Sequence, residues 1–290
     1  MFKALAQYVM RGRLQAIVIA LIGSWVPFIS LGVLGLVTLR RGWQEGLLVT
    51  MWASLPAFIA LWMGQVATPM ALASIAVYFV GYAASCTLRT TIAWHSAFIV
   101  SLCGAALSAV LIVSVIDDVS ADFSAFFASL LQVPDGESAA DIKQFIEGWT
   151  PIRAAGMIAY WVGLSSVVGL LLARWWQALL YNPGGFQKEF HHMRLPISVA
   201  VLSAILAAFG FSAGTQYEFW SGLLALPLLI ASLGLAHWLL ARFKLGKAAV
   251  VALYIALLLV PLSGLILMAL ALQDAVFGVR DKLRINQSDD

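Results

Sequence analysis

Apolar residues fill most of this chain in long runs separated by short polar stretches. Runs of about 20 apolar residues recur, which is the length of helix that crosses a hydrocarbon core about 30 Å thick. The runs are continuous rather than alternating in polarity, which favours helices over the strands of a closed barrel. We expect an all-α, polytopic transmembrane helix bundle of about eight or nine hydrophobic segments, with residues 1–290 as a single integral membrane domain. The segments cover residues 14–39, 47–63, 70–87, 92–116, 152–180, 197–211, 220–240 and 248–272.

The first hydrophobic segment is broken at Gly23-Ser24-Trp25-Val26-Pro27. It is either one kinked crossing or two half-helices that enter and leave the membrane on the same side. Lys and Arg residues favour cytoplasmic loops, and the re-entrant form places 12 of the 17 basic residues there. Residues 14–22 would also rise only about 14 Å, which is too short to span. The sequence favours the re-entrant form, with Ser24, Trp25 and Pro27 near a candidate solute site.

A polar stretch at residues 181–196, here called the elbow, separates two groups of apolar segments. Its Asn-Pro-Gly-Gly sequence must leave a helix, because proline lacks an amide donor and paired glycines favour turns. Phe186 and Phe190 then lie on one face of a short helix predicted along the inner membrane surface. We expect the elbow to be cytoplasmic, and either to anchor the chain at the interface or to dock a partner. The candidate docking residues are Asn182, Pro183, Gly184, Gly185, Phe186, Phe190 and Arg194.

Residues 117–150 form an acidic insert that carries seven of the 14 acidic residues. Phe123, Phe127 and Leu131 fall on one apolar stripe of a helix, and residues 142–149 repeat the spacing. We expect two short amphipathic helices on the external side. They either anchor the chain at the membrane surface or form a lid over a solute site.

The composition excludes several classes of function. Only 11% of the residues are charged, against about 25% in soluble domains. The net charge of +3 is divided among loops, so it bears on topology and predicts no nucleic-acid partner. We find no hydrolase, phosphate-binding or zinc-ligand motif, and we therefore expect no enzymatic activity, catalytic residue, metal or cofactor. Cys86 and Cys103 are expected to be inert packing residues.

Two further patterns bear on helix packing. Ala16 and Ala20 lie one turn apart and form a flat face on which another membrane helix can pack closely, which makes them candidate docking residues. Pro261 interrupts the last segment, in a way that mirrors the break at Pro27 near the other end of the chain. Paired interruptions of this kind often form the binding site of a transporter.

Two motifs carry a resemblance to a known family. These are Thr38-Leu39-Arg40-Arg41-Gly42 and, above all, Leu180-Tyr181-Asn182-Pro183-Gly184-Gly185-Phe186 followed by Glu189-Phe190 and Arg194-Leu195. The chain resembles the YybS-like family of uncharacterised bacterial multipass membrane proteins over nearly its whole length. That family is thought to be distantly similar to the S components of energy-coupling-factor transporters, which usually have six helices. The resemblance implies that the Ala16/Ala20 face docks on a transmembrane partner.

Two functions follow from these observations. The first is a small-solute-binding subunit in the bacterial inner (cytoplasmic) membrane, energised by a transmembrane or ATPase partner subunit. The alternative is a membrane scaffold or assembly protein that contacts protein partners or lipid and binds no solute. A polar cavity near Pro27 would favour the first function, and a solid core with an exposed groove would favour the second.

Overall fold

The computed structural model describes residues 1–26, 28–131 and 138–285, and the regular structure in these ranges is helical. The helices are α1 (Phe2–Val9), α2 (Arg13–Gly23), α3 (Ile29–Arg41), α4 (Trp43–Trp62), α5 (Thr68–Thr91), α6 (Trp94–Val115), α7 (Val119–Leu131), α8 (Ser138–Glu147), α9 (Pro151–Tyr181), α10 (Gly185–His192), α11 (Ile197–Ser212), α12 (Glu218–Arg242), α13 (Lys247–Leu259), α14 (Pro261–Phe277) and α15 (Val279–Ile285). A 3₁₀ turn covers Thr215–Tyr217. The prediction of an all-α chain is confirmed. Pro27, and the part of the acidic insert at residues 132–137, lie outside the described residues.

Five of the described helices, α4, α5, α6, α9 and α12, are long and apolar enough to cross a membrane. The number rises to seven if each of two bent pairs counts as one span. These pairs are α10 with α11, bent by 68°, and α13 with α14, bent by 115°. These helices are compatible with a multipass membrane protein. The predicted count of eight or nine hydrophobic segments is not confirmed.

The bundle has two ends that can be told apart by their polar contacts. At the elbow end, the Arg40 guanidinium lies 3.9 Å from the centre of the Tyr181 ring. At the opposite end, Arg153 at the start of α9 forms an ion pair of 2.6 Å with Glu218 at the start of α12. Six described helices connect the two ends, namely α4, α5, α6, α9, α11 and α12.

Helices α2 and α3 form a hairpin that begins and ends at the elbow end. Arg13 at the start of α2 donates a hydrogen bond of 2.8 Å to Glu45 near the start of α4. Arg41 at the end of α3 donates one of 2.6 Å to the carbonyl of Met10. At the tip, the Ser30 hydroxyl bonds the Ala20 carbonyl at 2.6 Å. The 11 residues of α2 rise only about 16 Å, so the arrangement agrees with the re-entrant form favoured by the sequence.

Helices α13 and α14 likewise begin and end at the elbow end. The Arg280 guanidinium, just beyond α14, donates to the carbonyl of His191 in the elbow at 2.5 Å. Arg242, at the end of α12, donates to the carbonyl of Leu283 at 3.2 Å. The break at the start of α14 therefore turns the chain back. The described C-terminal residues lie on the same side as the elbow, a point that the sequence left open.

Helix α3 is the most enclosed element of the N-terminal part. Its ten residues from Ser30 to Leu39 are all buried, because glycines bring it close to α5 and α9. A Cβ atom on Gly35 would lie 2.6 Å from Cβ of Ala173 in α9, and one on Gly81 of α5 would lie 3.0 Å from the Leu31 side chain. A Cβ on Gly169 of α9 would overlap Leu31 as well. Close approach of the α3 backbone to α5 and α9, at positions without large side chains, therefore holds the hairpin in place.

We predict that Gly35→Ala destabilises the protein. The added methyl has no space against Ala173, and overpacking typically costs about 1–3 kcal/mol. Gly264→Ala in α14 is the matched control, since its new Cβ would have its nearest neighbour at 4.0 Å; there the gain in helix propensity, up to about 1 kcal/mol, should dominate. Thermal unfolding of both variants in detergent measures the difference. Equal stability of Gly35→Ala and the wild type would show that α3 is not closely packed.

The topology predicts that Gln187 in the elbow and Lys282 in α15 face the same side of the membrane. Both side chains are exposed, as is Gln65 in the turn between α4 and α5 at the opposite end. Single cysteines at these three positions, with Cys86 and Cys103 replaced by Ala, can be labelled in intact cells with an impermeant reagent. We expect labelling at Gln65 and protection at the other two positions. Different results at Gln187 and Lys282 would mean that α13 and α14 together cross the membrane.

Candidate functional site

A cavity of about 240 Å³ lies at the tip of the α2–α3 hairpin, beside the break predicted from the sequence. The hairpin contributes the wall on one side, and α5 and α9 close the other sides. The described residues that line the cavity are Gly23, Ser24, Trp25, Val26, Phe28, Ser30, Leu31, Ser74, Val77, Tyr78, Trp161 and Ser165. Two of the three residues predicted near a solute site, Ser24 and Trp25, are therefore part of its lining, while Pro27 lies outside the described residues.

The cavity lies beside the middle of α9 and beside the first turns of α5, to which Ser74 belongs. Ser165 is near the midpoint of α9, which runs from Pro151 to Tyr181. Solute sites of secondary transporters commonly lie near the bilayer midplane, where broken helices expose backbone and side-chain polar groups. Irregular backbone is tolerated at this depth only where it is enclosed by protein or lines a cavity, and the break between α2 and α3 meets that condition.

Four serines line the cavity, and the hydroxyl groups of three of them donate hydrogen bonds to backbone carbonyls. Ser24 donates to the Leu21 carbonyl at 2.7 Å, Ser30 to the Ala20 carbonyl at 2.6 Å and Ser74 to the Met70 carbonyl at 2.8 Å. A hydroxyl has one proton and two lone pairs. The Ser24 and Ser74 oxygens therefore remain acceptors towards the cavity, whereas Ser30 also bonds the Tyr78 side chain.

Ser165 differs from the other serines of the cavity. Its side chain is 2% exposed, and its hydroxyl has no hydrogen-bond partner among the described residues. A buried polar group without a partner is unfavourable by about 1–3 kcal/mol, and such groups are rare in native proteins. A molecule bound in the cavity can accept a hydrogen bond from this hydroxyl and remove the penalty.

Aromatic rings form much of the remaining wall. Trp25 and Trp161 line the cavity and are also 86% and 52% exposed, so they mark its opening. Phe28, at the tip of the hairpin, has a φ of +65°, in the left-handed region that side chains other than glycine rarely adopt. Strain of this kind costs on the order of 1–3 kcal/mol and clusters at ligand sites.

The elbow forms the predicted short helix, α10, with its aromatic residues on one face. The rings of Phe186 and Phe190 stack with their centres 5.7 Å apart, and Phe190 also contacts His237 of α12. Gly234 permits this approach, since a Cβ there would lie 2.6 Å from the Phe190 carbonyl oxygen. Gly184 has a φ of +83° and starts the helix after Asn182 and Pro183. The two rings thus contact the chain's own C-terminal bundle.

Charged residues of the elbow are likewise engaged within the chain. Glu189 forms an ion pair of 2.7 Å with Arg174 and accepts a hydrogen bond of 2.7 Å from the indole of Trp94. Arg194 donates to Asp281 at 2.9 Å. Docking of an external partner on the elbow therefore stays a prediction, and it would have to use the outer faces of these residues.

The sequence analysis missed the buried ion pair that fixes the C-terminal end to the elbow. Asp274 is fully buried and accepts hydrogen bonds from Arg280 Nε at 2.8 Å and from the Arg280 backbone amide at 2.9 Å. The same guanidinium donates to the Met193 carbonyl at 2.8 Å. Asp274 lies just beyond the last apolar segment of the sequence, so the pattern gave no sign that it is buried.

Ala16 and Ala20 are both fully buried, and they belong to the hydrophobic core of the N-terminal part of the chain. Helix α2 packs against α3 and α4, so these two residues form no exposed surface in this structure. Their docking on a transmembrane partner stays a prediction, and it would require the hairpin to move away from α4.

The acidic insert covers the opposite end of the bundle through an aromatic cluster. Phe127 stacks on Trp149 with ring centres 5.0 Å apart, and Phe123 contacts the same indole at 4.9 Å. Arg153 lies 4.9 Å from the centre of the Trp149 ring while it binds Glu218. The two helices predicted for the insert are present as α7 and α8. Whether the insert anchors the chain at the membrane surface or forms a lid over a solute site stays a prediction.

Ser165, Ser74 and Tyr78 were not singled out from the sequence. Isolated serines are common in membrane helices, where they usually bond the carbonyl four residues earlier, as Ser74 does with Met70. Ser166 makes that bond to Val162 and Ser165 does not, a difference that the sequence does not show.

We predict that Ser165→Ala leaves stability unchanged or raises it by up to about 1 kcal/mol, because no hydrogen bond is lost. Ser30→Ala is the matched control. It removes the bond that joins α3 to α2 and should lower stability by about 1 kcal/mol. Unfolding of both purified variants in detergent checks the pair. An equal loss of stability in the two variants would indicate that the Ser165 hydroxyl has a hydrogen-bond partner within the protein.

No family model matches the chain, and the comparisons with curated proteins and with solved structures also gave no match. The resemblance to the YybS-like family stays a prediction.

Proposed function

We propose that this protein is a small-solute-binding subunit of a transporter in the bacterial inner membrane, energised by a partner subunit. The observation that carries the proposal is the hydroxyl-lined cavity at the hairpin tip, in which the buried Ser165 hydroxyl has no protein partner. Ligand sites are typically concave, mostly apolar and provided with a few convergent polar groups. The cavity has this composition.

The arrangement of the helices also supports the proposal. Six described helices connect the two ends of the bundle, and the hairpin packs against α4, α5 and α9 among them. The two broken pairs, α2–α3 and α13–α14, enter from the elbow end and return.

The need for a partner follows from what the chain offers. The sequence has no phosphate-binding loop, so ATP hydrolysis would have to come from another subunit. Ion-coupled carriers commonly use intramembrane carboxylates, and none of the described residues that line the cavity is charged. Binding is therefore assigned to this chain and energy supply to its partner.

A scaffold function is the second candidate, and one feature favours it. An apolar groove of about 510 Å³ lies between α11, α12 and α14, with Ala204, Ala208 and Ala225 among its small lining residues. Another helix could pack closely on such a surface. The two functions differ in whether a small molecule is retained at the hairpin cavity.

Solute binding predicts that the purified full-length protein retains at least one small molecule that depends on the cavity. Ser165→Val and Ser74→Val place additional methyl groups in the cavity from α9 and α5, and should reduce the retained amount at least tenfold. Ser212→Leu is the control, since Ser212 is exposed at the end of α11 and does not line the cavity. Mass spectrometry of the released small molecules measures retention, and unfolding midpoints confirm that each variant is folded.

Two outcomes would contradict solute binding. One is a set of retained molecules that is identical in the wild type, the two cavity variants and Ser212→Leu. The other is the absence of any retained small molecule from the wild type.

A further inference from the structure

We infer that the cavity selects an uncharged solute that both donates and accepts hydrogen bonds and has an apolar ring face. This inference depends on the proposed function and adds the chemical class of the solute. It follows from which polar groups of the cavity are already satisfied, from the absence of charge in its described lining and from the aromatic residues at its opening.

The hydrogen-bond balance of the cavity favours donors and acceptors on the solute. The hydroxyl protons of Ser24 and Ser74 are given to backbone carbonyls, which leaves their oxygens as acceptors, while Ser30 bonds both the Ala20 carbonyl and the Tyr78 side chain. The Ser165 hydroxyl and the indole N–H groups of Trp25 and Trp161 are donors in the same described lining. A complementary solute therefore presents both O–H or N–H donors and acceptors.

The hydrogen-bonding groups of the cavity lining discriminate against solutes that have no O–H or N–H donor. A site that is built to receive hydrogen bonds rejects an analogue lacking them, because its buried polar groups are then left unpaired. An ether, an ester or a fully alkylated amide would leave the Ser24 and Ser74 oxygens without a donor. Such molecules would also displace water from the serines without replacing its hydrogen bonds.

Charged solutes are disfavoured by the same lining. Among the described residues that form the cavity, none is Asp, Glu, Lys, Arg or His. An ion at this depth would lose its hydration without gaining a counter-charge, and an uncompensated buried charge is strongly unfavourable. Arg153, the basic residue at the opposite end of α9, is already paired with Glu218.

The size and the aromatic walls limit the shape of the solute. The volume of about 240 Å³ corresponds to about eight water molecules at about 30 Å³ each. This volume accommodates a single small ring, and a larger solute would extend past Trp25 and Trp161 at the opening. Trp25 and Trp161 flank the opening and Phe28 and Tyr78 lie further in, and such faces pack against the C–H or π face of a ring. Small cyclic polyols and unalkylated N-heterocycles combine these properties.

The test uses a deproteinised metabolite extract of the cells that carry the protein, divided by ion exchange into neutral, anionic and cationic fractions. Each fraction is added to the purified full-length protein, and the midpoint of thermal unfolding is measured. A ligand that binds the folded state raises the midpoint by mass action, by about 5 °C at a hundredfold excess over Kd. We expect the neutral fraction alone to give this rise.

Acetylation of the neutral fraction provides the second arm. Acetic anhydride converts alcohol O–H donors to esters with release of acetic acid, so a treated polyol ligand should lose its effect. The rise should also be absent in Ser165→Val and intact in Ser212→Leu. A rise with a charged fraction, or an equal rise with the acetylated fraction, would overturn the inference and leave solute binding standing. No rise with any fraction would overturn both.

Discussion

The close approach of α3 to α5 and α9 is the constraint on which the rest of the structure depends. Glycines on all three helices remove the side chains that would otherwise separate them, and Leu31 occupies the space that Gly81 and Gly169 leave. Van der Waals packing and interhelical hydrogen bonds drive helix association in lipid, where the hydrophobic effect contributes little. Small residues therefore suit a short hairpin that begins and ends at the same end of the bundle.

The cavity is a consequence of that packing. The hairpin turns back before it reaches the opposite end of the bundle, and a space remains between its tip, α5 and α9. The hairpin, α5 and α9 line this space with serines, aromatic rings and the backbone at the break between α2 and α3. The Ser30 hydroxyl has two roles, because it joins α3 to α2 through the Ala20 carbonyl and faces the cavity.

Much of this arrangement could be predicted from the sequence. The apolar runs predicted the helices, the polar interruption predicted the elbow and its aromatic face, and the distribution of Lys and Arg favoured a re-entrant first segment. The burial of Asp274 could not be predicted, because its partner Arg280 lies six residues away and the pair is enclosed by the elbow backbone. The free hydroxyl of Ser165 could not be predicted either, since a single serine in an apolar helix gives no sign of what faces it.

A density map of the full-length protein in lipid nanodiscs, purified without added solute, tests the account most directly. The account predicts non-protein density at the hairpin tip, within hydrogen-bonding distance of Ser165 Oγ and between α5 and α9, with the size of a small ring. A cavity that is closed by the protein, with Ser165 bonded to a main-chain carbonyl, would contradict it. So would a lipid acyl chain that fills the same space.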